Sequence, residues 1–120
     1  MDKKRETLSD IMQSVRSWSE DMSDLLGYPC DMSGMCVAAS VELFNRLSTA
    51  GIGCRIAVND SHAFVLYGTS VLDVTASQFG KPDICVAHVG SEDYWKVVKL
   101  FDDVHEFEDY LSTWNIPTSL

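Results

Sequence analysis

Three residues of this chain combine the types that nucleophilic acyl transfer needs: Cys36, His62 and Asp73. A thiol attacks a carbonyl carbon, an imidazole takes and returns its proton, and a carboxylate orients the imidazole and stabilises its charged form. Each has a plainer alternative. Cysteine is often a small buried hydrophobe, a histidine opening a strand is often a turn residue, and a carboxylate in an apolar run is often tied to backbone. Position raises the stakes. Cys36 follows Ser33-Gly34-Met35 at the expected start of a helix, where free N–H groups and the helix dipole favour thiolate and can hold an oxyanion beside the sulfur. His62 opens the apolar run Ala63-Phe64-Val65-Leu66. Asp73 lies within Val71-Leu72-Asp73-Val74, where an unpaired carboxylate is costly.

A hairpin register joins the last two. Gly68-Thr69, with glycine first, fits a two-residue type II′ loop. Tyr67 then pairs with Ser70, Phe64 lies opposite Asp73, and His62 lies opposite Thr75. Opposed residues share a face, as do residues two apart along a strand. His62 and Asp73 become diagonal neighbours, with about 7–8 Å between backbones, within reach of both side chains. A slip of one residue would place them on opposite faces.

The elements that must hold these residues follow from apolar periodicity. Leu8, Ile11, Met12, Val15, Trp18, Met22, Leu25 and Leu26 predict an amphipathic helix over 7–26, with Thr7 as a candidate cap and Gly27 and Pro29 as stop signals. A loop over 27–35 leads to a second helix over 34–49. Ser33 is its cap, Val37, Ser40, Val41, Phe44 and Leu47 form its stripe, Ala38 and Ala39 permit close approach, and Gly51 stops it. Alternation predicts strands over 54–58, 62–67 and 70–75, with a turn at Asn59-Asp60-Ser61. Residues 76–83 read as a loop, 84–89 as a short strand closed by Gly90, and 94–100 as a further strand. Asp102 or Asp103 caps a final helix through Val104, Phe107, Leu111 and Trp114, which Pro117 ends. Two helices, a run of strands and a helix make an α+β fold with an antiparallel sheet.

Composition narrows the function classes. At 120 residues the chain suits one domain spanning 1–120, and 46% apolar residues suffice for a core. The net charge of −9 opposes nucleic acid and anionic membranes. No signal peptide or apolar run of spanning length is visible, so the expected location is cytoplasmic, and delivery by a signal-independent route stays compatible with it. Cys30, Cys36, Cys54 and Cys85 form no CxxC pair and no common zinc spacing, so free thiols, no metal and no cofactor are expected.

Taken in order, Cys36, then His62-Ala63-Phe64-Val65, then Leu72-Asp73-Val74-Thr75-Ala76 resemble the Cys, His and Asp motifs of transglutaminase-like enzymes within the papain-like superfamily. Asp73-Val74-Thr75-Ala76-Ser77-Gln78-Phe79 is similar to the Asp-x-Thr-Ala-x-Gln-Phe pattern of small papain-fold domains, including proposed glutamine deamidases. The resemblance covers about residues 33–80, and a catalytic-type core of about 33–89. It implies a papain-like core, a Cys36–His62–Asp73 triad and a thioester intermediate. Family members often carry tryptophan beside the nucleophile, whereas Met35 and Val37 flank Cys36 here. The additional β-domains and calcium sites of larger transglutaminases have no room in this chain.

Gln78, Thr75, Ser33 and Gly34 are candidates for contacting substrate or oxyanion, with loop or strand roles as the alternatives for Gln78 and Thr75. His88 and His105 are weaker candidates for the base, and Cys30, Cys54 and Cys85 read as packing thiols. The expected activity is hydrolysis of an amide. A side-chain amide of a protein substrate comes first, a peptide bond second and transamidation third. The alternative is an inactive papain-like fold serving as an acidic protein-binding module or inhibitor.

Overall fold

These patterns resolve into three α-helices and five strands among the residues described by a computed structural model, 3–28, 34–60 and 62–112. The order is α1 (Lys3–Leu26), α2 (Cys36–Thr49), β1 (Arg55–Val58), β2 (Ala63–Tyr67), β3 (Ser70–Asp73), β4 (Cys85–His88), β5 (Lys99–Phe101) and α3 (Val104–Ser112). Short 3-10 turns occupy Ala76–Phe79 and Asp93–Trp95. The strands form one antiparallel sheet in the order β4-β3-β2-β1-β5. The α+β class is as expected. Pro29, Cys30, Ser33, Ser61, Trp114 and Pro117, each given a role above, lie outside the described residues.

The helices cover one face of the sheet. Met12 and Val15 of α1, Leu43 and Leu47 of α2, and Phe107 and Leu111 of α3 pack with Ile56, Val65, Leu72 and Phe101 in the main core. Helix α1 begins at Lys3, so Thr7 lies inside it and is not its cap. Its buried line runs through Met12, Val15, Arg16, Ser19 and Ser23, while Leu25 and Leu26 stay 76% and 43% exposed. Small serines on the packed face let the helix approach closely, which an apolar count alone does not register. In α2 the buried side is Ala38, Ala39, Ser40, Leu43, Phe44 and Leu47, with Val37 and Val41 half-buried. Gly51, at φ +78°, ends this helix as expected, and the Ile52 N–H reaches back to the Leu47 carbonyl at 2.9 Å.

The second face is covered too. Since β5 pairs with β1, the chain must travel from the β4 edge to the opposite edge, about four strand spacings or roughly 19 Å. Trp95, on this crossing, is buried against Ala57, Phe64, Val71, Ala76 and Cys85. Ile56, Ala57 and Val58 are therefore all buried, and the expected alternation in β1 is lost. The expected strand over 94–100 divides into the turn that carries Trp95 and the three-residue β5. Asp103 is the cap of α3, its Oδ1 accepting the Glu106 N–H at 2.8 Å. No helix among the described residues is long and apolar enough to cross a membrane.

Candidate active site

The β2–β3 hairpin adopts the register expected from its loop: Tyr67 pairs with Ser70, Leu66 with Val71 and Val65 with Leu72. Gly68, at φ +62°, takes the left-handed conformation that a two-residue loop requires. His62 precedes β2 and Asp73 ends β3, so the register brings them together. His62 Nε2 lies 2.6 Å from Asp73 Oδ2, and the two side chains are 0% and 2% exposed.

Asp73 is held by donors on both oxygens. Oδ1 accepts the Thr75 N–H at 2.8 Å and the Thr75 hydroxyl at 3.1 Å. Oδ2 accepts the Trp95 indole N–H at 3.0 Å besides the histidine. Burial resists the carboxylate's charge, but these bonds and the imidazolium outweigh it and hold Asp73 below its ordinary range. Thr75 thus serves the carboxylate. It is buried, lies beyond the end of β3 and begins the turn at Ala76–Phe79, which corrects its reading as a strand residue. The loop expected over 76–83 contains that turn because the Asp73 side chain captures the backbone two residues on.

Burial likewise opposes a charge on His62. The hydrogen bond to Asp73 and the neighbouring Cys36 overcome it and raise the imidazole to about 9. Nε2 is committed to Asp73, while Nδ1 is buried and has no hydrogen-bond partner among the described residues. The Phe79 ring meets the imidazole edge-on at 4.9 Å between centroids and Phe64 lies tilted at 5.8 Å, which limits its rotation. Cys36 is the first residue of α2, which begins two residues later than the expected start at 34. Met35 before it supplies no side-chain cap, and its backbone carbonyl accepts the Ala39 N–H at 2.9 Å. The N–H groups of the first turn have no partner within the helix.

Cys36 and His62 share a cleft of about 340 Å³, walled by Val37, Val58 and Ala63 and, from α3, by Phe107, Tyr110 and Leu111. Asn59 and Asp60 complete its lining. The Asn59 N–H donates to the His62 carbonyl at 3.0 Å, closing the turn that presents the histidine. Gly34 and Gln78 do not line this cleft. Gly34, at φ +90°, packs beside the Tyr28 ring and sets the chain's entry into α2. Gln78 has a buried side-chain nitrogen with no hydrogen-bond partner among the described residues. His88 and His105 are placed elsewhere: the first bonds the neighbouring Val89 carbonyl and the second lies exposed beside Asp109. Cys36, Cys54 and Cys85 are free thiols, and burial pushes Cys54 up to about 11. No group of three metal-ligating side chains occurs among the described residues.

Two supporting residues escaped the sequence reading. Trp95 stood within a segment assigned to a strand, and nothing local signals that its indole would meet a carboxylate 22 positions away. Arg16 lies on the buried line of α1 and donates to the Val74 carbonyl at 3.0 Å and the Ser77 hydroxyl at 2.8 Å, with Asp83 at 3.4 Å. It ties α1 to the segment just after Asp73. A cation four positions from Met12 and one from Val15 was its available signal.

Two consequences can be measured. Trp95→Phe keeps most of the buried area and removes one donor from Asp73. Stability should fall by about 1–2 kcal/mol, and acid unfolding should begin at higher pH. The sign follows because Asp73 sits below its unfolded value, so its stabilisation disappears as pH falls through the folded value, which loss of a donor raises. Urea titrations across the acid range provide the check. His62 behaves oppositely. Its folded value of about 9 exceeds the ordinary 6.5, so its contribution is complete below that ordinary value and disappears as pH rises through the folded one. Unfolding free energy, compared with His62→Gln, should lose about 3 kcal/mol over that interval.

Compared with protein-family models, curated proteins and solved structures, the chain matches none.

Proposed function

We propose that this protein is a cysteine-dependent acyl-transfer enzyme that hydrolyses an amide through Cys36, His62 and Asp73, on a core of papain-like or transglutaminase-like type, acting in the cytoplasm. The observation that carries this reading is the pairing of Cys36 and His62 in one open cleft, with Asp73 bonded to the far nitrogen of the ring. Asp73 accepts a hydrogen bond from Nε2–H, so Nδ1 is the atom that exchanges a proton with the thiol. The raised imidazole favours a protonated His62 beside Cys36 at neutral pH.

The thiolate attacks the amide carbon. Backbone N–H groups at the start of α2 are the available donors to the oxyanion. His62 gives its Nδ1 proton to the departing nitrogen, the C–N bond breaks, and a thioester on Cys36 remains. Water then attacks the thioester, His62 takes its proton, and the C–S bond breaks to release the acid and restore the thiolate. No cofactor or metal enters these steps. A side-chain amide of a protein substrate, glutamine or asparagine, is the first choice of acyl group, and a peptide bond the second. A binding module with no reaction to perform would gain little from a buried imidazole–carboxylate pair beside a thiol, since burying such a pair is seldom a net stabilisation.

Intact-mass analysis of candidate protein substrates after incubation separates the reactions. Deamidation adds about one dalton, proteolysis yields fragments, and transamidation adds the mass of the amine less that of the ammonia released. Absence of any change with wild-type protein, across substrates that bind it, would favour the module.

A further inference from the structure

Resting on that reading, we infer that the cleft takes an apolar side chain next to the attacked carbonyl, on a substrate protein with a basic surface. Apolar and aromatic groups make up most of the wall around Cys36 and His62. Val37 follows the nucleophile on α2, Val58 ends β1, and Phe107, Tyr110 and Leu111 form one side of α3. Phe107 and Leu111 are buried four residues apart, and Tyr110 stands half-buried beside them. This arm of the cleft is built by the C-terminal helix, which lies beyond the motifs that suggested the chemistry.

The polar groups of the lining limit what else could bind. Asn59 donates an amide N–H to the Lys96 carbonyl at 3.0 Å. Asp60 is exposed, and no lysine or arginine is among the cleft's residues. Among the described residues the lining therefore offers a carboxylate or phosphate no cation besides His62, which is already paired with Asp73, and the chain's charge of −9 repels acidic substrates while drawing basic ones. A volume of about 340 Å³ accommodates one large side chain together with the reacting carbonyl.

The test separates the subsite from the catalytic reading. Cys36 is alkylated with iodoacetamide, with N-isobutyl iodoacetamide and with N-(2-hydroxyethyl) iodoacetamide, each rate being divided by that of the same reagent with glutathione. In each case sulfur displaces iodide and forms a C–S bond. The isobutyl reagent should gain about tenfold at Cys36 over the hydroxyethyl reagent, as expected for burying part of a leucine-sized group. Tyr110→Ala and Val37→Asn should each reduce that preference. Glutamine peptides should follow the same order, with leucine beside glutamine exceeding serine, and arginine-flanked peptides exceeding glutamate-flanked ones by a margin that shrinks with salt. Equal normalised rates for the two reagents, with Cys36 still far more reactive than Cys54 and Cys85, would overturn the subsite and leave the catalytic reading standing. A Cys36 no more reactive than those two thiols would overturn the catalytic reading, and the subsite with it.

Discussion

Replacing Cys36 by alanine should abolish amide hydrolysis, lowering turnover by about four orders of magnitude or more. Among the described residues no other thiol is placed to substitute for it, because Cys54 and Cys85 are absent from the lining of the cleft that holds His62. The fold should survive. Cys36 is half-buried at the margin of the main core, so losing its sulfur should cost only about 1 kcal/mol. The substitution also removes one of the two groups that raise His62. The alkaline loss of stability that His62 governs should therefore be smaller, and end at lower pH, in Cys36→Ala than in the wild type. Retained hydrolysis would assign the reaction to another group. Retained alkaline behaviour would mean that the thiol and imidazole are not coupled.

Asp73→Asn should reduce kcat/KM by about three to four orders of magnitude and destabilise the fold by about 3 kcal/mol. All four contacts on the carboxylate come from donors: His62, Trp95, and the Thr75 amide and hydroxyl. An asparagine offers one oxygen in place of two. Turned so that its oxygen meets Thr75, it sets its NH₂ against the indole N–H and against His62 Nε2. The imidazole then accepts at Nε2 and carries its proton on Nδ1, facing Cys36, where it cannot act as the base. Turned the other way, the NH₂ meets the Thr75 amide, and a buried donor loses its partner. Both orientations cost stability, and the first also disables catalysis. Activity within tenfold of wild type would show that Asp73 is only a structural carboxylate.

The sequence made the His62–Asp73 pair legible because a two-residue loop and strand periodicity fix which side chains share a face. Those are local rules, and the observed pairing of Tyr67 with Ser70 obeys them. Cys36 was legible by its place at the start of a helix. The apolar periodicity also placed α2 and the hairpin, while the cap of α3 stayed open between Asp102 and Asp103, of which Asp103 accepts the Glu106 N–H. It placed α1 less well, since Ser19, Ser23 and Arg16 occupy its packed face and Leu25 does not. What escaped was the cover on the second face of the sheet. That cover depends on β5 joining the far edge, a tertiary choice with no signal in residues 94–100, and it carries Trp95 onto Asp73. Thr75 was placed opposite His62 by extending the strand two residues too far. The side chain of Asp73 ends the strand by bonding the Thr75 amide, so the catalytic candidate itself shapes the chain that follows it. The α3 wall of the cleft was equally unreadable, because helix periodicity says which face is apolar and not which cavity it borders.

The central claim is that His62 takes the proton of Cys36. The most direct measurement is iodoacetamide labelling of the folded protein at pH 6.5, quantified thiol by thiol by peptide mapping, for wild type and His62→Gln. In the wild type Cys36 should react at least about tenfold faster than Cys54 and Cys85, whose thiols burial pushes up, and in His62→Gln that advantage should disappear. Equal labelling of these thiols in the wild type, or an advantage for Cys36 that survives the loss of His62, would contradict it.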